Sequence, residues 1–447
     1  MKSVFFVFSH YFRCYFSVIT RNNKRQATSF KQLYHKNTFR IYEGKFGNLK
    51  LACSLLIRRI VLDVLKNSDS NMHAKTSTVF YNEAVGSWEA EYLRLNHSLD
   101  TYEHYTPYNT HLGVNIFSKF VYLALFAIVL LLSLPILVVR PVALWALGAT
   151  VLHEHIKVMY QVNRQKPSRF YDFLSYEMGS SFLSSLLTRK GIKNYFITSP
   201  TPLYEVYPDC SCDVFLSTSP YHKDEIAFAK SDKNYPLNFH CNSMESWPYD
   251  QYTSGLQFNA DLKDDQNQKN IGVYTSGVWW RRAEQHKEYA VGFFDSEDQM
   301  LSDIKAFVLK NPSYIPVLYL HPRERNSDTQ LSKALVHYKK VFGKVEFKFG
   351  DFQRSTKAQF AHCNIAIAAG SNTIYERLYA GYKSLFAPYY QKQFPIKTSH
   401  LNSISARSYE DLETMILSFS QINTNDYFES NQLWDYHHSK LSNEQSA

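Results

Sequence analysis

Two segments in the C-terminal half of this chain restrict what it can fold into. Val317-Leu318-Tyr319-Leu320 is an apolar run of strand length that stops at His321-Pro322-Arg323-Glu324-Arg325. Asn364 to Ala369 is a second such run, and Gly370-Ser371-Asn372-Thr373 then opens a helical stretch through Leu378. Apolar strands alternating with helices specify a parallel sheet. In an open sheet of that kind, ligands bind just beyond the C-terminal ends of the strands, where the strand order switches. A histidine at one strand end and a helix N-terminus at another can therefore meet on one phosphate. The free N–H groups and positive dipole end of the helix favour negative charge there.

The same alternation starts earlier in the chain. Tyr171–Ser175, Asn194–Thr198 and Asp213–Ser217 have strand character, and Ser180–Lys190 is helical and closed by Gly191. Ile271–Tyr274 feeds the small-residue turn Thr275-Ser276-Gly277. An amphipathic helix follows over Glu297–Asn311, with Ser296 and Gln299 at capping-box spacing. A helix over Gln330–Phe342, a strand over Val345–Phe347 and a helix over Ser408–Ser418 complete the series. A length of 447 residues suits two domains. We expect the first over 1–225, with Ser3–Ser9 as its opening strand, a linker region over 226–270 ending in the polar run Asp261–Asn270, a second domain over 271–390 and a tail over 391–447.

The His-Pro turn and the Ser-x-Thr turn resemble the donor half of GT-B glycosyltransferases that use CMP- or CDP-activated donors. Bacterial sialyl-, polysialyl- and capsule Kdo-transferases are the nearest families, over roughly residues 170–390. The resemblance implies an α/β, GT-B-like fold of two Rossmann-like domains facing a cleft, with the tail packing back on the first. It implies inverting transfer of a sugar, from a CMP-sugar in preference, to a cell-surface polysaccharide or lipooligosaccharide. It places His321 on the donor phosphate, and Ser371 with Thr373 on the nucleotide phosphate. Around these, Asn372 adds a donor, Ser276 and Gly277 face the same ligand, Arg323 adds positive potential, and Glu376 can accept ribose hydroxyls. Each has a plainer alternative: His321 capping its own turn, Ser371 an ordinary helix cap, Arg323 and Glu376 solvated.

An inverting transfer also needs a base for the acceptor hydroxyl proton. Ser175-Tyr176-Glu177-Met178-Gly179 is similar to the acidic-acidic-Gly motif of polysialyltransferases, departing from it at Tyr176 and Met178. This implies Glu177 as the base, the alternative being a structural glutamate at a helix start. His10 is a second candidate on the acceptor side. No Asp-x-Asp triplet is present, which favours a metal-independent reaction without a cofactor. No P-loop, nicotinamide fingerprint or nucleophile elbow occurs either. A CDP-polyol phosphotransferase of the teichoic-acid type and a non-catalytic membrane scaffold on the same fold are the competing readings.

Charge and hydropathy point to a membrane. Residues 1–70 hold thirteen Lys/Arg against Glu43, Asp63 and Asp69. No nucleic-acid recognition motif accompanies them, so anionic lipid headgroups are the expected partner. Val121 to Val139 is uncharged throughout, and a helix of that length would rise roughly 28 Å. A second apolar run, Val142–Leu152, follows Arg140-Pro141. Basic residues on both sides of the insertion ask for the cytoplasm. A membrane-embedded helical insertion over 118–153, bent near Pro135 or Arg140-Pro141, satisfies both. The expected setting is the cytoplasmic face of the bacterial inner membrane, with membrane lipids, a nucleotide sugar and a glycan or glycolipid acceptor as partners. The six cysteines show no paired zinc spacing.

Overall fold

A computed structural model of the chain describes residues 2–34, 45–65, 77–81, 102–105, 115–138, 141–173, 179–198, 201–246, 269–283 and 292–436. They divide into two compact units: 1–198 with 206–217 and 237–245, and 199–205 with 218–236 and 246–447.

The first unit opens with helices α1 (Lys2–Thr20), α2 (Lys24–Leu33) and α3 (Lys45–Ser54), a π-helical segment (Leu55–Val61) and the short α4 (Leu62–Leu65). The strand expected over Ser3–Ser9 is the first half of α1. Val4, Val7, Phe8, Tyr11 and Cys14 are its buried apolar residues, and that spacing of three and four is one helical face. A short apolar window fits either period, and the longer stripe decides it.

The first unit's sheet runs β2-β1-β3-β4-β5-β6. Its strands are β1 (Thr78–Tyr81), β2 (Tyr102–Tyr105), β3 (Arg169–Asp172), β4 (Lys193–Ile197), β5 (Asp209–Ser217) and β6 (Asn238–Ser246). β1 to β5 pair in parallel. The order switches between β1 and β3, a flavodoxin-like arrangement.

Between β2 and β3 lies the long apolar region. Among the described residues no helix is long and apolar enough to cross a membrane, so the membrane-embedded insertion expected over 118–153 finds no support. The region folds as α5 (Ile116–Leu132), a 3-10 turn (Leu134–Val138) and α6 (Val142–Gln165). Ser133 ends α5, and Pro135 just beyond it cannot donate a helical hydrogen bond. Trp145 Nε1 donates to Ser133 Oγ at 2.8 Å, and Tyr122 OH lies 2.6 Å from His153 Nδ1. These two links, read along the chain, set α5 and α6 antiparallel. α6 is the core helix of the unit, buried from Ala143 through Val162 on most of its circumference, with α1, α3 and the π-helical segment packed on it. Its apolar run is therefore accounted for by protein. After β3 the chain re-enters helix α7 (Ser180–Arg189) through Gly179.

The second unit takes up residues 199–205 and then α8 (Pro220–Ser231). Tyr379 OH donates to Ser219 Oγ, Ile396 N donates to Tyr221 OH at 3.0 Å, and the Tyr221 and Phe394 rings pack edge to face. Residues 218–225, expected in the first domain, thus belong to the second unit. The polar run before Asn270 signals a connection, whereas the tyrosines around α8 determine which core it joins.

The second sheet runs β11-β10-β7-β8-β9. Its strands are β7 (Asn270–Tyr274), β8 (Ile315–Tyr319), β9 (Lys348–Phe349), β10 (Ile365–Ala368) and β11 (Ser384–Phe386), and every pairing is parallel. Between them run α9 (Val278–Ala283), α10 (Phe293–Lys310), α11 (Asp328–Phe342) and α12 (Asn372–Tyr379). The first strand of this unit, β7, lies between its second, β8, and its fourth, β10. The order therefore switches between β7 and β10, as it does between the two halves of a Rossmann sheet.

Three boundaries differ from expectation. α10 starts at Phe293 behind Gly292, one turn before the expected cap, and Ser296 Oγ donates to Gly292 O. β9 is displaced to Lys348–Phe349. The tail helices α13 (Tyr409–Gln421) and α14 (Thr424–Ser430) belong to the second unit. There Asn364 Nδ2 donates to Ser420 O, and Lys383 Nζ donates to Phe419 O and Ile422 O.

Candidate functional site

The site is assembled where β7, β8 and β10 end. β8 delivers His321, and Pro322 stops the strand by removing its next N–H. Pro322–Glu324 turns as a single 3-10 element. This turn folds Glu324 back under the strand ends, where its carboxylate is fully buried and accepts four hydrogen bonds. The donors are Thr275 Oγ1 (2.8 Å), Trp279 Nε1 (2.7 Å), the His321 backbone N–H (2.9 Å) and Tyr338 OH (2.9 Å). One carboxylate thus fixes the ends of β7 and β8, the start of α9 and a face of α11. A buried carboxylate is tolerated only with donors of this kind.

The His321 ring is held in one tautomer. The Arg323 backbone N–H, which can only donate, points at Nδ1 at 3.1 Å. Nδ1 is therefore the acceptor, and a neutral imidazole then carries its proton on Nε2. The ring is neutral because burial, with Arg281, Arg323 and Arg325 adding repulsion, pushes its pKa down to about 3. Nε2 in turn faces Arg281 Nη2 at 3.1 Å. A guanidinium has no acceptor. Two donors that cannot satisfy each other thus converge, and an anionic oxygen would accept from both.

β10 supplies the other side. It ends at Ala368, and α12 begins at Asn372 with Ser371 as its N-cap. The Ser371 side chain makes no cap hydrogen bond, so ordinary capping does not occupy the hydroxyl. Asn372 is exposed, and Ser371 and Thr373 are half-buried beside the helix N-terminus. Neighbouring strands lie roughly 5 Å apart. His321 and Ser371, two strands apart across β7, therefore flank the switch point at a separation of roughly 10 Å.

The turn after β7 is occupied by protein. The Ser276 N–H donates to Glu297 Oε2 at 2.9 Å, the Val278 N–H to Oε1 at 3.4 Å, and Ser276 Oγ to Gly370 O at 3.0 Å. Gly277 has φ +69°, and a Cβ there would lie 2.3 Å from Trp280 Nε1, so the glycine is needed for packing. Ser276 and Gly277 thus shape the floor of the site, and the donors of Ser276 are used within it. Burial, reinforced by the nearby Glu324, pushes Glu297 up to about 8.

The remaining expected residues are placed as follows. Arg323 is exposed. Glu376 Oε1 pairs with Lys357 Nζ at 3.0 Å, so its carboxylate is engaged within the protein. His10 is in the first unit on the buried face of α1, 2.7 Å from Ser185 Oγ and against the Phe182 ring. Burial, then Arg189 and Arg13, push it down to about 3. It serves helix packing and not a strand end. Glu177 lies outside the described residues, in the connection that leaves the C-terminal end of β3. Among the described residues no group of three or more His, Cys, Asp or Glu could hold a metal ion.

Arg281, Glu324 and Glu297 were not singled out from the sequence as functional residues. Glu324 stands three residues after His321, the capping-box interval. Glu297 stands one turn before Met300 on the apolar face of its helix, which is a readable anomaly. Arg281 carries no such sign.

No protein-family model matches the sequence, and no curated protein matches it. Solved structures give only slight likeness. An O-GlcNAc transferase mutant of Thermobaculum terrenum is 11% identical at a TM-score of 0.39, covering 99% of this chain and 81% of that one. The UDP-GlcNAc 2-epimerase of Neisseria meningitidis bound to UDP-GlcNAc is 10% identical at 0.40, covering 77% and 92%. The wall teichoic acid polymerase TagF is 11% identical at 0.39, covering 90% and 99%. Likeness at this level identifies neither a family nor an activity.

Proposed function

We propose that the second unit holds the phosphate of a nucleotide-activated sugar, a CMP-sugar in preference, and that the chain is an inverting glycosyltransferase. The acceptor would be a glycan or glycolipid of the cell surface, and no metal or cofactor would take part. The observation that carries this reading is the convergence of His321 Nε2 and Arg281 Nη2 at 3.1 Å beside the switch point. As the bond from sugar to phosphate breaks, charge builds on the departing phosphate oxygen. His321 donates to that oxygen without giving up its proton, Arg281 adds full positive charge, and the α12 N-terminus with Ser371 and Thr373 supplies further donors.

A thermal-shift panel of CMP-, CDP- and UDP-activated donors on the purified full chain tests this directly. A ligand at about 100 times its dissociation constant should stabilise by about 2.7 kcal/mol. Absence of a shift with every donor would overturn the reading. A product containing a new phosphodiester would replace glycosyl transfer by phosphotransfer.

The acceptor proton requires a base, and Glu177, five residues after the end of β3 in the sequence, is the proposed one. Glu177→Gln keeps the shape and removes the basicity. Transfer should fall by roughly a hundredfold or more, with donor binding unchanged. Transfer rates in quenched-flow assays, beside the same thermal shift, separate the two effects. Near-normal transfer would move the role to another residue.

A further inference from the structure

Helix α5 has its polarity reversed. Its buried stripe is Lys119, Tyr122, Phe126 and Val129, so its two most polar long side chains point inward. Tyr122 OH meets His153 Nδ1, and Lys119 Nζ donates to Leu65 O at 3.5 Å. The outward face is apolar: Phe117 is 75% exposed and Leu131 64%, with Phe120, Ile128 and Leu132 beside them, and Val138 in the following turn is 87% exposed. α4 packs against α5, and the segment leading into α4 exposes Ile57, Val61 and Leu62. An apolar surface on this scale marks an interaction site.

Charge identifies the occupant. Arg58 and Arg59 are exposed between Ile57 and Val61. In the helical stretches 2–34, 45–65, 115–138 and 141–165 there are thirteen Lys/Arg, and the acids are Asp63 and Glu154 alone. Asp63 is tied to His153 Nε2 at 3.0 Å and Lys157 Nζ at 2.9 Å, an ion pair that fastens α4 to α6. A second copy of the chain would bring the same positive charge against this one. An anionic bilayer surface complements both features, with headgroups on the arginines and acyl chains under the apolar face.

We propose that α5 lies flat in the headgroup region of an anionic membrane, with the 134–138 turn and the exposed side of residues 57–65 as its flanks. At 17 residues the helix offers a contact line of roughly 25 Å in the membrane plane. The attachment enters one leaflet and crosses none. It stands on the first unit alone and is independent of the nucleotide site.

Flotation of the full chain with vesicles tests it. The wild type should float with phosphatidylcholine vesicles containing phosphatidylglycerol and bind phosphatidylcholine alone more weakly. Leu131→Glu combined with Leu132→Glu should reduce vesicle binding about tenfold or more, since two charges would enter the acyl boundary. Arg58→Gln and Arg59→Gln should each cost about fivefold on the anionic vesicles and nothing on the neutral ones. All substituted side chains point outward, so melting temperatures should match the wild type, and Phe117→Glu repeats the test elsewhere on the helix. A wild type that stays unbound with both vesicles would overturn the proposal. So would glutamate variants that float like the wild type. So would a discrete dimer, without vesicle binding, that the glutamate variants convert to monomer. The nucleotide thermal shift should be identical in all these variants, which keeps this outcome separate from that of the donor site.

Discussion

His321→Ala and Arg281→Ala should each lower kcat by about 10²–10³, the effect of removing one pre-positioned donor from a developing oxyanion, or about 2.7–4 kcal/mol in the barrier. The two donors converge at 3.1 Å, so they act on one oxygen and their losses should not add. The double variant should fall only modestly below the worse single one, as expected for groups working as a unit. Loss should appear in kcat more than in KM, because the charge they meet develops as the bond breaks. His321→Gln offers an amide N–H near the position of Nε2 and should recover part of the rate. Since His321 is pushed down to about 3, it remains neutral from pH 5 to 8, and any acid limb in that range belongs to another group. Steady-state kinetics of the four variants with the best donor from the thermal-shift panel decide the matter. Unchanged kcat in both alanine variants would remove the phosphate from this corner of the sheet.

The parts of the site legible in the sequence are those that local chemistry marks. A strand of Val, Leu and Tyr broken by Pro322 announces a strand end, and Gly370-Ser371 announces a helix start, so His321 and Ser371 stand where they were expected. The partnership of His321 with Arg281 was not legible. It follows from β7 lying between β8 and β10, and strand order is a non-local property. Ser276 shows the opposite error. Its turn has the composition of a phosphate loop, but Glu297, buried on a helix in the next connection, takes its N–H. The fold divides along the same line. The alternation of the second sheet is evident, whereas α1 reads as a strand because a window of seven residues, five of them apolar, does not resolve a period of two from one of 3.6. The apolar region 118–153 reads as a membrane-embedded insertion, for which the described helices give no support. Its two halves differ in what covers them: α6 is enclosed by protein and α5 is not, and hydropathy alone cannot distinguish these cases.

Arg377→Ala should be among the most destabilising single changes in the second unit, by about 4 kcal/mol. Arg377 lies in the last turn of α12 and is 0% exposed. No carboxylate pairs with it among the described residues. Its donors go instead to backbone carbonyls: Nε to Lys383 O at 3.1 Å, Nη1 to Phe360 O, and Nη2 to Cys363 O at 2.6 Å and Asn364 O at 3.4 Å. The guanidinium also sits 5.0 Å from the centre of the Tyr382 ring. One side chain therefore stitches the approach to β10, the end of α12 and the approach to β11. Alanine would take their donor from the Phe360 and Cys363 carbonyls, at about 1–3 kcal/mol each before relaxation, while Lys383 O keeps the Ala366 N–H, and would add a cavity. Incomplete collapse and entering water reduce the sum, hence the value of about 4 kcal/mol. Arg377→Lys keeps the charge but offers a single nitrogen in place of a planar fork, so it should lose most of the carbonyl contacts and fall between the two. Because α12 also carries Ser371 and Thr373, the donor-induced thermal shift should weaken in step with the loss of stability. Urea unfolding followed by tryptophan fluorescence, with midpoint and slope compared among wild type, Arg377→Lys and Arg377→Ala, measures the effect. A change below about 1 kcal/mol in the alanine variant, the range of ordinary surface substitutions, would show that water replaces the guanidinium at these carbonyls and that the three elements hold together without it.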